Sequence, residues 1–198
     1  MIRILGIDPG TLHCGYGVID VAAGRASAKP RYVECGVIEL PGRLPLSERL
    51  RLLATDLREV MAELRPNEVS LEAAFHGVNA QSALRLGHAR GVIMLLTAEA
   101  GLPLGEYPPA TVKRAVAGHG RAGKPEIQRV VTWLCALQRA PRADAADALA
   151  IALCHAFHRQ VPTAVRRHPV ETRLQGAALS AAAPSYPDGV SRSARLRR

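Results

Sequence analysis

Short apolar runs broken by turn residues dominate the first forty positions. IRILGID is an aliphatic run stopped by Pro9-Gly10, GYGVID restarts after it, and RYVECGVIEL is closed by Pro41-Gly42. Three strand-like runs joined in this way predict an antiparallel meander. The period then changes. Leu46, Leu50, Leu53, Leu57, Val60 and Leu64 fall on one helical face, and Pro66 ends that helix. A short fourth strand is expected within Asn67 to Phe75, in EVSLEAAF. Asn79 can cap a helix running to about Ala100, with Gly101 as its stop. LPLGEY reads as a fifth strand. It is followed by a short helix near Thr111 to Ala117, a glycine-rich loop, a helix from Pro125 to Leu137, and an alanine-dense helix from Asp144 to His158. The order β-β-β-α-β-α-β-α predicts an α/β fold: a five-stranded sheet with a meander at one edge and helices on its faces.

Composition narrows the class. A chain of 198 residues that is 48% hydrophobic can bury a real core and suits one ordinary domain; with 4% aromatics that core must be mostly aliphatic. No apolar run approaches the roughly 18 residues of a membrane span, and MIRILGIDPG lacks the shape of a signal peptide, so a cytoplasmic location is expected. The cysteines at 14, 35, 135 and 154 form no C-x-x-C pair and read as buried thiols. Cys154, His155 and His158 crowd one helix end, where packing and solvent-facing roles explain them better than a zinc site.

Charge adds a partner class. Of the net +9, residues 163 to 198 supply +5, seven Arg against Glu171 and Asp188, in a Pro-, Ala- and Ser-containing stretch ending SRSARLRR. Residues 161–198 therefore read as a basic, disordered tail on a domain spanning 1–160. Such a tail suits a polyanion such as DNA or RNA, or is simply a solvated extension.

The chemistry lies in acids placed where acids are costly. Asp8 closes a hydrophobic strand and Glu72 interrupts VSL-AAF; a carboxylate there must be exposed, paired or bound to a cation. Asp144 and Asp147 stand three apart at a helix start and can face one side. Capping and the helix dipole alone also account for them. Together the four make an all-oxygen donor set suited to Mg²⁺ or Mn²⁺. Two such ions about 4 Å apart perform in-line phosphodiester hydrolysis with no protein nucleophile. Lysine usage points the same way. Against 23 Arg there are three Lys, at 29, 113 and 124, and Lys113 and Lys124 flank one glycine-rich stretch that also carries Arg121. A compact, strongly hydrated charge suits a phosphate contact. Within that stretch Gly118, Gly120 and Gly123 match G-x-G-x-x-G, but a helix rather than a strand precedes them; Gly118 to Lys124 spells a P-loop start that Pro125 spoils. Phe75, one of two Phe and close to Glu72, could stack on a base or pack in the core.

Four blocks in this order, ILGIDPGTLHCGYGVID, LEAAFHGVNAQSALRLGHARGV, EYPPATVKRAVAGHGRAGK and ADAADALAIALCHA, resemble the bacterial RuvC family of crossover junction endonucleases, over roughly residues 2 to 158. The resemblance implies a ribonuclease H-like fold, a homodimer, and paired symmetric nicking of four-way (Holliday) junctions in recombination and repair. Two Mg²⁺ or Mn²⁺ per site and 5′-phosphate products come with it, and a branch-migration complex of the RuvA and RuvB type is the implied partner. Asp8, Glu72, Asp144 and Asp147 fall on the family's acidic positions, and Lys113 and Lys124 on its basic positions near the cleaved strand. Phe75 falls on the aromatic that engages junction bases, Arg121 is expected to contact DNA, and the helix from Asn79 to Ala100 would supply much of the dimer interface. Ala73, His88 and Pro125 depart from the family's usual residues, and Pro125 is expected to stiffen its loop. Two other readings share these residues: another ribonuclease H-like nuclease, and a non-catalytic junction-binding module. A third, the ATPase superfamily whose phosphate turn resembles GIDPGT, pairs two such domains, and this chain has room for one.

Overall fold

A computed structural model describes residues 1–22, 29–73 and 80–159. Three antiparallel strands open it: β1 (Ile2–Asp8), β2 (His13–Val21) and β3 (Arg31–Glu39). Helix α1 (Leu46–Leu64) carries the chain across to β4 (Glu68–Glu72), which lies parallel to β1. Helix α2 (Ala80–Glu99) then leads to β5 (Leu104–Tyr107), parallel to β4. Three helices follow: α3 (Pro109–Ala117), α4 (Lys124–Leu134) and α5 (Ala143–Arg159). The sheet order β3-β2-β1-β4-β5 is the expected mixed sheet with its meander at one edge.

Strand alternation sorts side chains between two cores. Leu5 and Ile7 of β1, Tyr16 and Val18 of β2, and Val69 and Leu71 of β4 face α1 and α2. Ile4 and Ile19 face the other way, into a core built with α3, α4 and α5. On that second face α5 lies directly on the sheet, because glycines stand beneath it. A Cβ on Gly6 would come 2.2 Å from the Ala148 carbonyl oxygen, and one on Gly15 would come 2.0 Å from that of Asp144. Small residues on both partners (Ala145, Ala148 and Ala152 are buried on the helix) allow a closer approach than leucines would.

Most helix ends fall as the sequence predicts. Gly101 stops α2 with φ 64°, and α1 ends at Arg65, whose φ of 47° precedes Pro66. Helix α3 begins at Pro109, two residues before the expected Thr111, and α4 differs more. Helix α4 stops at Leu134 instead of continuing to Leu137, because Ala136 turns into the left-handed region with φ 51°. There Leu137 N–H donates to the Thr132 carbonyl and Ala136 N–H to that of Trp133, a Schellman closure with alanine where glycine is usual. Pro125 lies inside the first turn of α4 rather than in a loop, where its missing N–H leaves no helical bond unmade. Phe75, Asn79 and the tail from 161 lie outside the described residues.

All four cysteines are free; Cys14, Cys135 and Cys154 are buried and Cys35 partly so. Burial pushes the Cys14 and Cys154 thiols up to about 12, leaving them protonated and unreactive. His155 is buried and bonds Tyr107 Oη at 2.8 Å and Glu68 at 2.8 Å, so it ties α5 to β4 and β5. Among the described residues no helix is long and apolar enough to cross a membrane.

Candidate active site

The alternation that sends Leu71 and Ile7 toward α1 sends their successors, Glu72 and Asp8, to the α5 face. The parallel register pairs Ile7 with Leu71, so Asp8 and Glu72 are neighbours at the C-terminal ends of adjacent strands. That is the edge at which parallel sheets present functional groups. Asp8 is also paired with Gly15, which lies under the Asp144 carbonyl, so the first turn of α5 sits over the same edge. The helix runs against the strands. Asp144 and Asp147 belong to the end over Asp8 and Glu72, while His155 and Arg159, at the other end, meet Glu68 at the start of β4. The eight residues from Asp147 to His155 span about 12 Å of helix, and the four from Glu68 to Glu72 about 13 Å of strand. The lengths match, so a helix pinned through Glu68 brings its opposite end level with Glu72.

These elements enclose a pocket of about 320 Å³ lined by Asp8, Glu72, Asp147, Lys113 and Lys124, with Val112, Ile127 and Ile151 as its apolar wall. Lys113 comes from α3, which follows β5 directly, and Lys124 is the first residue of α4. Lys124 Nζ lies 3.6 Å from Asp147 Oδ2. Asp144 does not line this pocket, but it stands one turn before Asp147 and its charge acts on both Asp147 and Asp8. Arg121 is exposed in the turn between α3 and α4 and is not part of the lining.

The electrostatics follow from crowding. Burial, then the charges of Glu72, Asp147 and Asp144, push the Asp8 carboxyl up to about 8, with Lys124 opposing them. Burial raises Glu72, helped by Asp147 and opposed by Lys113, Lys124 and Arg90. Asp147 is raised by burial, with Lys124 as the main opposing influence. Like charges share the pocket, and the two lysines offset them only in part. Among the described residues no three His, Cys, Asp or Glu side chains already stand as a closed metal-ligand group. The donor set still fits a hard divalent cation: its members are all carboxylates, they converge on one pocket, and a cation there would relieve their repulsion. Acids and lysines together can hold such an ion beside a phosphate.

One residue at this edge escaped the sequence reading. Arg90 of α2 is buried, and it donates to the main-chain oxygen of Glu72 and to the Glu106 carboxylate. The signal was its position beside Ala89, Ile93 and Thr97 on the buried face of its helix, where an arginine must have a partner.

The family model described as Crossover junction endodeoxyribonuclease RuvC matches residues 4–155. The protein of that description from Halorhodospira halophila is 49% identical over 162 residues, covering 82% of this chain and 94% of the relative. One from Methylorubrum extorquens is 46% identical over 169 residues, covering 85% and 87%. Among solved structures, T. thermophilus RuvC in complex with Holliday junction substrate superposes with a TM-score of 0.74 at 37% identity, over 81% of this chain and 96% of that one. The yeast mitochondrial Holliday junction resolvase Ydc2 superposes at 0.56 with 15% identity over 80% of each chain, a likeness of fold alone.

Proposed function

The chain belongs to the RuvC family of crossover junction endodeoxyribonucleases, and from that membership we propose how its residues carry the family's reaction. It is a nuclease with a ribonuclease H-like fold and general dependence on divalent metal. The substrate is the four-way DNA junction, cut by paired symmetric nicks that leave 5′-phosphates.

Asp8, Glu72 and Asp147 hold the metal, with Asp144 completing the donor set from the first turn of α5. The observation that carries this reading is the convergence of Asp8, Glu72 and Asp147 with Lys113 and Lys124 on one pocket at the C-terminal edge of β1 and β4. Two Mg²⁺ or Mn²⁺ supply, when bound, water activation and stabilisation of the departing 3′ oxygen. The carboxylates fix where those charges lie relative to the scissile phosphate. Lys113 and Lys124 approach from α3 and α4, where they hold the phosphate and offset negative charge that builds up on it. Ile127 and Ile151 keep one wall of the pocket apolar, which strengthens these interactions. Phe75 engages a junction base and Arg121 contacts the DNA backbone outside the pocket.

Helix α2 forms the dimer interface. Its outer face exposes Leu84 (64%), Met94 (40%) and Leu95 (57%), large apolar groups that a two-fold partner would cover. Two sites related by such an axis suit two opposing strands of a junction. Residues 1–160 form the nuclease domain and 161–198 a basic tail that adds backbone affinity. The enzyme works in the cytoplasm alongside a branch-migration complex of the RuvA and RuvB type.

Cleavage of a mobile four-way junction, a linear duplex and an RNA–DNA hybrid in Mn²⁺, Mg²⁺ or EDTA tests the assignment. Paired nicks in the junction alone, abolished by EDTA, are expected. Cutting of the hybrid in preference would move the chain to another nuclease branch, and binding without cutting would make it a junction-binding module.

A further inference from the structure

Arg90 combines three properties that a solvated arginine lacks. It is 7% exposed, it lies on the buried face of α2, and both groups it bonds belong to the edge of the sheet that bears the carboxylates. A guanidinium does not shed its charge on burial, so its position is set by whatever pairs with it. One partner is the Glu106 carboxylate on β5, a side chain 40% exposed. The other is the main-chain oxygen of Glu72 itself.

The second contact is the informative one. The carbonyl of Glu72 belongs to the peptide that joins it to Ala73, and the N–H of that same peptide donates to the Tyr107 carbonyl at 2.8 Å. The peptide leaving Glu72 is therefore held at both ends, by β5 on one side and by α2 on the other. Glu72 is the last residue of its strand, so the sheet ladder alone does not fix the peptide beyond it. In the β4–β5 register Leu71 faces Glu106 and Glu72 faces Tyr107, so Arg90 bridges the two strands where the acid is presented.

We infer that Arg90 is a positioning residue for Glu72: by holding the Glu72 carbonyl and the Glu106 carboxylate together, it sets the metal-binding geometry of that acid from helix α2. The inference rests on the metal-site reading given above. It adds a physical link between the helix that carries the exposed apolar face and the strand end that carries the acid.

The test is Mn²⁺ binding to the full chain, followed by electron paramagnetic resonance, beside junction cleavage across a Mn²⁺ titration and thermal unfolding in EDTA. Arg90→Gln is expected to weaken Mn²⁺ binding by about tenfold or more, as loss of an outer partner of a metal ligand does. Cleavage should fall at low Mn²⁺ and recover at high Mn²⁺, while junction binding in EDTA stays within about threefold of the parent. Arg90→Lys, which keeps the charge on a single donor nitrogen in place of the two-nitrogen fork, should recover part of the affinity. If Arg90→Gln does not fold, Arg90→Lys and Glu106→Gln carry the test, each with a smaller loss of Mn²⁺ affinity, on the order of threefold. A folded Arg90 variant with unchanged Mn²⁺ affinity overturns the inference, even if its unfolding temperature drops, because the residue would then serve the fold alone. Glu72→Gln separates the role of Arg90 from the metal site itself. If it too binds Mn²⁺ normally, the metal-site reading fails; if it loses binding while the Arg90 variants keep it, only the role of Arg90 fails.

Discussion

Asp8 sits among three other acids at the end of a buried strand, and its carboxyl is pushed up to about 8 from an ordinary 3.8. The folded chain therefore keeps a proton on Asp8 between about pH 4 and pH 8 that the unfolded chain has released. Through that window stability without metal falls as pH rises. Asp8→Asn removes the effect. In EDTA it should raise the unfolding temperature at pH 8 by on the order of 5 °C and leave it unchanged below pH 4, while cleavage is lost and junction binding persists. A variant no more stable than the parent at pH 8 would show that the acids do not repel one another as described. Lys113→Ala should slow cleavage by on the order of a hundredfold in single-turnover assays while junction affinity changes little. An unchanged rate would remove Lys113 from the reaction. At this scale the sequence was informative, because a carboxylate that breaks an aliphatic run is conspicuous. Asp8, Glu72, Asp147, Lys113 and Lys124 do meet in one pocket. Asp144 stands a turn behind it, and Arg121 lies on an exposed turn. Arg90 was missed because its two partners, the Glu72 main-chain carbonyl and the Glu106 carboxylate, belong to other elements and meet it only through the fold.

Helix α5 is the element that makes the site, since it delivers two acids over a sheet edge that already carries two. Its height above the sheet is set by Gly6 and Gly15. Gly15→Ala would put a Cβ about 2.0 Å from the Asp144 carbonyl oxygen, backbone that cannot swing aside as a flexible side chain could. Denaturant unfolding should show a loss of about 1–3 kcal/mol, and cleavage should fall as the first turn of α5 lifts. Undiminished stability would mean that the helix is not seated as closely as described. Aliphatic runs bounded by turn residues, with the helical period of α1 and the alanine density of α5, located each strand and helix among the described residues, and α1 was correct to its ends. The end of α4 was not legible, since Ala136 closes it where only glycine or asparagine would have announced a left-handed turn.

For the whole molecule, the outer face of α2 and the pocket make one functional unit only if two chains pair. Replacing Leu84 and Leu95 together by Glu should convert a dimer to a monomer in light scattering and change paired nicks to single ones. A dimer that survives both charges would place the interface elsewhere. On the proposed reading, the acids at the ends of β1, β4 and α5 bind the metal that cuts the junction. Crystals soaked in MnCl₂ and measured at the manganese absorption edge test it directly. Two anomalous peaks about 4 Å apart, contacted by Asp8, Glu72, Asp147 and Asp144, are the expected result. Manganese bound elsewhere, with this pocket empty at concentrations that support cleavage, would contradict it.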